Sequence, residues 1–369
     1  MNRILEVAER LVRSRRLTLE EYKELVEGYD PEIAEYLKNE AIKKRKEIYG
    51  DKVFVRGLIE ISNICKNNCL YCGIRGENEN CQRYQLNHEE IMMCCVKAYD
   101  SGFRTFVLQG GENGYYDDDR LCYLISDIKN NCSDCAVTLS LGERSSLSYL
   151  KLFNAGADRY LLRHEAAEVE LYEKLHPENM SYENRMECLK ELKKVGYQAG
   201  CGFMVGAPYQ TAEHIARDLK FIEEFKPEMC GIGPFIPHKD TIFANEKAGS
   251  ADLTCYLLSI IRLIHPNILL PATTALGTVE KDGWERGVLS GANVIMLNLT
   301  PEFVRGKYDI YDNKCSIGTD NPERLQELQE KMKNIGYELD MGKGDYNKRW
   351  WPILNEESRE RLKQTLFRE

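Results

Sequence analysis

No stretch of this chain is apolar for long enough to cross a membrane. Its start, MNRILEVAERLVRSRR, is interrupted by Glu6 and Glu9 and lacks the unbroken apolar core of a secretory signal. No basic stripe with interleaved aromatics is present, and the net charge is −9 at pH 7, which argues against nucleic acid or an anionic lipid surface as partner. Gly/Ser-rich linkers, low-complexity tracts and fixed-period repeats are also missing. These absences predict a cytoplasmic protein with no nucleic-acid or membrane partner. The 369 residues suffice for one large core.

Cysteine, by contrast, is abundant, at fourteen residues. In a large cytosolic chain most such thiols are buried, and a few do metal or catalytic work. Cys132 and Cys135 form a C-x2-C pair, and Cys94 and Cys95 are adjacent on one helical segment; both pairs read as packing thiols. The segment ICKNNCLYCGIR (64–75) differs, because Cys65, Cys69 and Cys72 stand at i, i+4 and i+7. Structural zinc closes with four ligands, and so does an electron-transfer iron–sulfur cluster. Three thiolates instead hold three irons of a [4Fe–4S] cube and leave the fourth iron open to a small molecule. The competing readings are a zinc knuckle completed by Cys81 or His88, a ferredoxin-type centre without the usual Cys-Pro ending, and a cluster scaffold without turnover.

Periodicity organises the rest. Residues before about 50 read as helices, with a capping box at Thr18 and Glu21, and with Asp30 and Pro31 opening a second segment whose Ile33, Ala34, Leu37 and Ala41 share a face. From there, short β-branched runs alternate with amphipathic helices. The predicted strands are VFVRGLIEIS, FRTFVLQ, CAVTLSL, DRYLLRH, YQAGCGFMVG, MCGIGPF, NILLPATT and ANVIMLNL. Eight β–α units require a mainly parallel sheet and predict a closed (β/α)8 TIM-type barrel over 51–336, between a helical extension (1–50) and a tail packed on the barrel (337–369). An open doubly wound sheet is the alternative. The cysteine triplet then follows the first strand, at the C-terminal mouth where barrel enzymes work.

C-x3-C-x2-C with an aromatic, Tyr71, before its last cysteine resembles the signature of radical S-adenosylmethionine (SAM) enzymes. The blocks NICKNNCLYCGIR, FVLQGGENGYY, VTLSLGE, DRYLLRHEAA, GIGPFIPHKDT, PATTALGT and ANVIMLNLTP resemble, in the same order, the HydE family of [FeFe]-hydrogenase maturases. The resemblance implies that SAM chelates the open iron through its amino and carboxylate groups. A ferredoxin- or flavodoxin-type reductant then drives its cleavage to a 5′-deoxyadenosyl radical. It implies SAM contacts at Tyr71, Gln109, Ser140, Glu165, Arg185, Met204 and Tyr308. Substrate contacts are implied at Thr138, Arg163, Thr273, Thr274, Met296 and Asn298. The implied substrate is a small cysteine-bound iron carbonyl cyanide complex made by HydG, and the processed iron unit would pass to HydF. Each assignment has a plainer reading: an internal Arg163–Glu165 ion pair, a solvated Arg185, Met204 as core filler, threonines chosen for β propensity. A methylornithine-synthase-like (PylB-type) mutase, or a paralogue with another amino-acid-like substrate, is the rival within the class. Some HydE proteins carry three extra cysteines for an accessory cluster; here the matching stretch has only Cys315, which predicts none.

Overall fold

The computed structural model describes residues 3–315 and 322–347. Helices α1 (Arg3–Ser14), α2 (Leu19–Glu27) and α3 (Pro31–Tyr49) open the chain. The Thr18/Glu21 capping box forms, and Asp30 caps α3 with Pro31 at its first position. Ile33, Leu37 and Ala41 are buried, with Ala34 at the margin of that face.

Strand β1 (Lys52–Ser62) leads to α4 (His88–Asp100), β2 (Thr105–Gly110), α5 (Asp118–Asn131), β3 (Ala136–Ser140), α6 (Ser146–Asn154) and β4 (Arg159–Leu161). Then come α7 (Val169–Leu175), α8 (Tyr182–Val195), β5 (Gln198–Cys201), β6 (Met204–Val205), α9 (Ala212–Phe225), β7 (Met229–Cys230) and β8 (Gly233–Pro234). The chain continues through α10 (Ala251–Ile264), α11 (Thr274–Val279), α12 (Gly283–Leu289), β9 (Val294–Asn298), α13 (Glu302–Arg305), α14 (Pro322–Asn334) and β10 (Glu338–Asp340). No helix among the described residues is long and apolar enough to cross a membrane.

Every named ladder is parallel, in the order β1-β2-β3-β4-β5-β7, with β9 on the other side of β1. Two single bridges complete the circle: Met229 meets Leu269, and Pro271 meets Val294. The barrel therefore has eight staves, as the alternation predicts. Three staves differ in detail. NILLPATT is not a regular strand, because Pro271 has no N–H for a ladder and Thr273 already stands at the N-cap of α11. The fifth and sixth runs each break in two, after Gly202 and Gly231, and resume as the β6–β8 pair. Gly202 requires its lack of a side chain, since a Cβ there would lie 2.1 Å from the Gly231 carbonyl oxygen.

α2 packs on α9 and α3 on α10. The Glu223 carboxylate on α9 accepts from the Leu17 N–H (3.1 Å) and the Tyr22 hydroxyl (2.8 Å). At the N-terminal end of the barrel, β10 pairs with the start of β1. The buried Arg159 guanidinium donates to the Lys343 carbonyl (2.8 Å) and Asp345 (2.6 Å) just beyond β10. The lower end of the barrel is thus covered by the segment around β10. Cys95, Cys132 and Cys135 are fully buried in the helix layer. Trp350 and Trp351 lie outside the described residues, as does the segment that follows Cys315.

Candidate active site

The cysteine loop leaves the C-terminal end of β1, and one arginine staples it. Arg83 Nη1 donates to the carbonyls of Asn63 and Ile74 (2.8 Å each), and Nη2 donates to that of Asn78 (3.1 Å). The Lys66 N–H donates to the Glu112 carbonyl (2.7 Å) and the Gly73 N–H to that of Ile310 (3.0 Å), so the loops after β2 and β9 hold it from two sides. Gly111 permits this approach, because a Cβ there would lie 2.4 Å from the Ile64 carbonyl oxygen and 2.8 Å from Cys65 Cβ. Gly111→Ala is therefore expected to cost about 1–3 kcal/mol, as overpacking does, and to lower iron incorporation. Thermal melting and iron analysis check this; unchanged iron content would show that the loop position does not matter.

Cys65, Cys69 and Cys72 line one cavity of about 330 Å³. Burial pushes all three thiols up, Cys72 to about 12. Without a metal they are neutral, and ligation would release their protons. Among the described residues no other cysteine lines the cavity. Three thiols in one pocket, with no fourth among the described residues, fit a cube with one open iron. Beside them, Cys69 Sγ lies 3.7 Å from Met180 Sδ. The Tyr71 hydroxyl meets His176 Nε2 at 3.3 Å, while His176 Nδ1 pairs with the Tyr172 carbonyl at 2.8 Å. Burial, then Arg185, push that imidazole down to about 3, so it stays neutral and accepts from Tyr71.

The cavity also collects most of the other residues singled out above. Tyr71, Gln109, Ser140, Glu165, Arg185, Met204 and Tyr308 line it, as do Arg163, Thr273, Thr274 and Met296. Thr138 and Asn298 do not reach the wall. Arg185 is a buried residue on α8: Nε donates to Glu143 (2.6 Å) and Nη1 to the Arg163 carbonyl (2.6 Å). Tyr308 accepts from Gln109 Nε2 at 3.3 Å. Asn298 Nδ2 donates to Glu60 at 3.0 Å.

Arg163 and Glu165 approach to 3.1 Å. That contact joins Arg163 Nη2 to Glu165 Oε2 without hydrogen-bond geometry, and Arg163 Nε and the Thr273 hydroxyl at the wall are buried without a hydrogen-bond partner among the described residues, as is the Thr138 hydroxyl behind it. Buried polar atoms are normally satisfied, so this group of donors and one carboxylate oxygen marks a site shaped for a polar ligand. Its chemistry suits SAM, whose amino group needs an acceptor and whose carboxylate needs donors. Glu165 adds a second mark: its φ of 63° lies in the left-handed region, a strain of order 1–3 kcal/mol that concentrates at functional sites.

Glu60 and Lys314 also line the cavity, and Glu143 holds Arg185 from outside it; sequence reasoning does not single out any of the three. Glu60 is fully buried and paired with Lys314 at the cavity wall. An acid inside the apolar run of β1 is a readable signal for it; nothing in the sequence points to Lys314. His238, Asp309 and Asp312 form a further cluster, with His238 Nε2 at 3.5 Å from Asp309 and 3.9 Å from Asp312. His238 Nδ1 accepts from the Asp240 N–H, which leaves the ring proton on Nε2. That arrangement suits a clamp between loops better than a metal ligand.

Comparison with known proteins agrees with this geometry. The description "Radical SAM superfamily" matches residues 59–222. The chain is 45% identical over 312 residues to the [FeFe] hydrogenase maturase subunit HydE of Thermotoga maritima, covering 85% of this chain and 88% of that one. It is 29% identical over 289 residues to a 3-methylornithine synthase of Methanosarcina acetivorans, covering 78% and 81%. Among solved structures, methylornithine synthase PylB superposes with a TM-score of 0.78 at 24% identity over 90% of this chain and 97% of that one. HydG superposes with a TM-score of 0.76 at 22% identity, over 92% and 76%. These two share the fold. The chain belongs to the HydE family of radical SAM enzymes.

Proposed function

We propose that this enzyme works in [FeFe]-hydrogenase maturation, acting on a cysteine-bound iron carbonyl cyanide complex during assembly of the di-iron subcluster. The observation that supports this best is its identity to the Thermotoga HydE, well above its identity to methylornithine synthases.

When bound, a [4Fe–4S] cluster and SAM supply a 5′-deoxyadenosyl radical. Cys65, Cys69 and Cys72 hold the cluster. Glu165 accepts from the SAM amino group. Arg185 braces the strand end through the Arg163 carbonyl and would contribute to the SAM side of the cavity. Tyr71, Ser140, Gln109, Met204 and Tyr308 complete the SAM wall. Arg163, Thr273 and Thr274 would offer donors to the carboxylate and cyanide groups of the substrate, over a wall that includes Met296 and Glu60; Thr138 and Asn298 stand behind that wall. The covered lower end of the barrel keeps bulk water from the radical. The partners are a HydG-type enzyme that supplies the complex, a HydF-type scaffold that receives the product, and a ferredoxin- or flavodoxin-type reductant, all in the cytoplasm.

SAM cleavage alone does not identify a substrate. The test is deoxyadenosine formation by the reduced, cluster-loaded protein, with the iron–cysteine complex and with lysine added separately. The complex should raise it well above background and lysine should not. The opposite pattern would support a methylornithine-type mutase.

A further inference from the structure

We propose that the buried His164–Asp218 pair is a positioning device that holds Glu165 and Arg163 toward the cavity and so sets the affinity for SAM, although neither member of the pair lines the cavity. This rests on the reading of Glu165 as a SAM contact.

His164 lies between the two charged residues of LLRHE and is fully buried, as is Asp218 on α9. Just beyond β4, Arg163 and Glu165 line the cavity, whereas His164 between them does not and is packed against α9 and Phe203. There the rings of Phe203 and Phe221 flank it, with centroids 5.9 Å and 4.7 Å away. His164 Nδ1 accepts from the Gly202 N–H at 3.2 Å, which places the ring proton on Nε2, 3.1 Å from Asp218 Oδ1. The same oxygen accepts from the Ala167 N–H at 2.7 Å. Gly202 returns through its carbonyl, which accepts from the Glu165 N–H at 3.0 Å. Four contacts from α9 and the β5 end thus enclose the one residue of this turn with positive φ.

A left-handed glutamate persists only where its surroundings over-determine it. These contacts supply that determination through the backbone and His164, and they leave the cavity-facing Arg163 and Glu165 side chains engaged only with each other, at 3.1 Å. Stability alone is a poor reason for the pair. Asp218 Oδ2 is buried without a partner, and well-packed apolar residues commonly replace such pairs at no loss. The carboxylate is better explained by the orientation it imposes.

The test is a SAM titration of the cluster-loaded protein, read as a dissociation constant and as the change SAM makes in the reduced cluster's EPR spectrum. Glu165→Ala serves as the benchmark. His164→Phe should weaken SAM binding about tenfold or more, the effect of losing one well-formed hydrogen bond or two, with iron content unchanged. His164→Gln and Asp218→Asn keep a donor or acceptor for these contacts and should recover most of the affinity. If His164→Phe does not fold, Asp218→Ser decides, because it withdraws the acceptor from both N–H groups and leaves the imidazole in place. Native SAM affinity in these deletion variants, while Glu165→Ala weakens it, overturns the proposal. Native affinity in Glu165→Ala itself overturns the underlying assignment, and the positioning role with it.

Discussion

Cys72→Ala protein, reconstituted with iron and sulfide under anaerobic conditions, is expected to show neither the reduced cluster's EPR signal nor SAM cleavage above background. The expectation follows from number and place. A cube held by three thiolates has no spare ligand, and among the described residues no other cysteine lines the cavity to replace a lost one. Cys81 is the nearest substitute in sequence, but the loop is fixed by Arg83, Gly111 and the Gly73–Ile310 bond, so the chain cannot slide to bring it in. The same loss should follow at Cys65 and Cys69. Retained cleavage in the Cys72→Ala protein would remove the cluster assignment, and with it the radical chemistry assigned to this cavity.

Arg163→Ala should separate the substrate from the cofactor. The cluster and its signal should remain, because Arg163 makes no contact with the cysteine loop. The response of deoxyadenosine formation to the iron–cysteine complex should disappear or require far more complex. The Arg163 guanidinium has a buried Nε without a hydrogen-bond partner among the described residues, and its Nη2 meets Glu165 without hydrogen-bond geometry, so it has donor capacity for a ligand. A charge-assisted hydrogen bond contributes about 1.5–3 kcal/mol, more than tenfold in binding. The paired Glu165 would also lose its neighbouring cation, so SAM affinity should be measured in the same variant. An undiminished response would mean that the complex, if it binds, is anchored elsewhere in the barrel.

Much of this architecture is legible in the sequence because its determinants are local. The capping box of Thr18 and Glu21 and that of Asn87 and Glu90 mark helix starts through hydrogen bonds only three residues long. Apolar runs between them mark staves buried on both faces. Legibility fails where a contact between distant segments decides. The seventh stave reads as a strand, yet Pro271 and the turn into α11 reduce it to two bridges. The pairing of β10 with β1 joins residues 338–340 to residues 52–54, and nothing in the tripeptide ELD announces it.

The site divides along the same line. The cysteine spacing is a local pattern, and LLRHE is a short one. The burial of Arg185 is not local, since a helical arginine reads as solvated surface until α8 is laid against Glu143 and the Arg163 carbonyl. Lys314 finds Glu60 across 254 residues, beyond the reach of any periodicity. The His164–Asp218 contact likewise joins a strand end to the third helix that follows it.

The central claim is the proposal that this enzyme acts on the cysteine-bound iron complex and not on lysine, and we propose the iron-bound sulfur of that cysteine as the atom the radical attacks. Mass spectrometry of the products formed by reduced, SAM-loaded enzyme with the HydG-derived complex tests it most directly. The account predicts an adenosyl adduct on the cysteine sulfur, absent when lysine replaces the complex. Conversion of lysine to methylornithine, with no adduct from the complex, would contradict it.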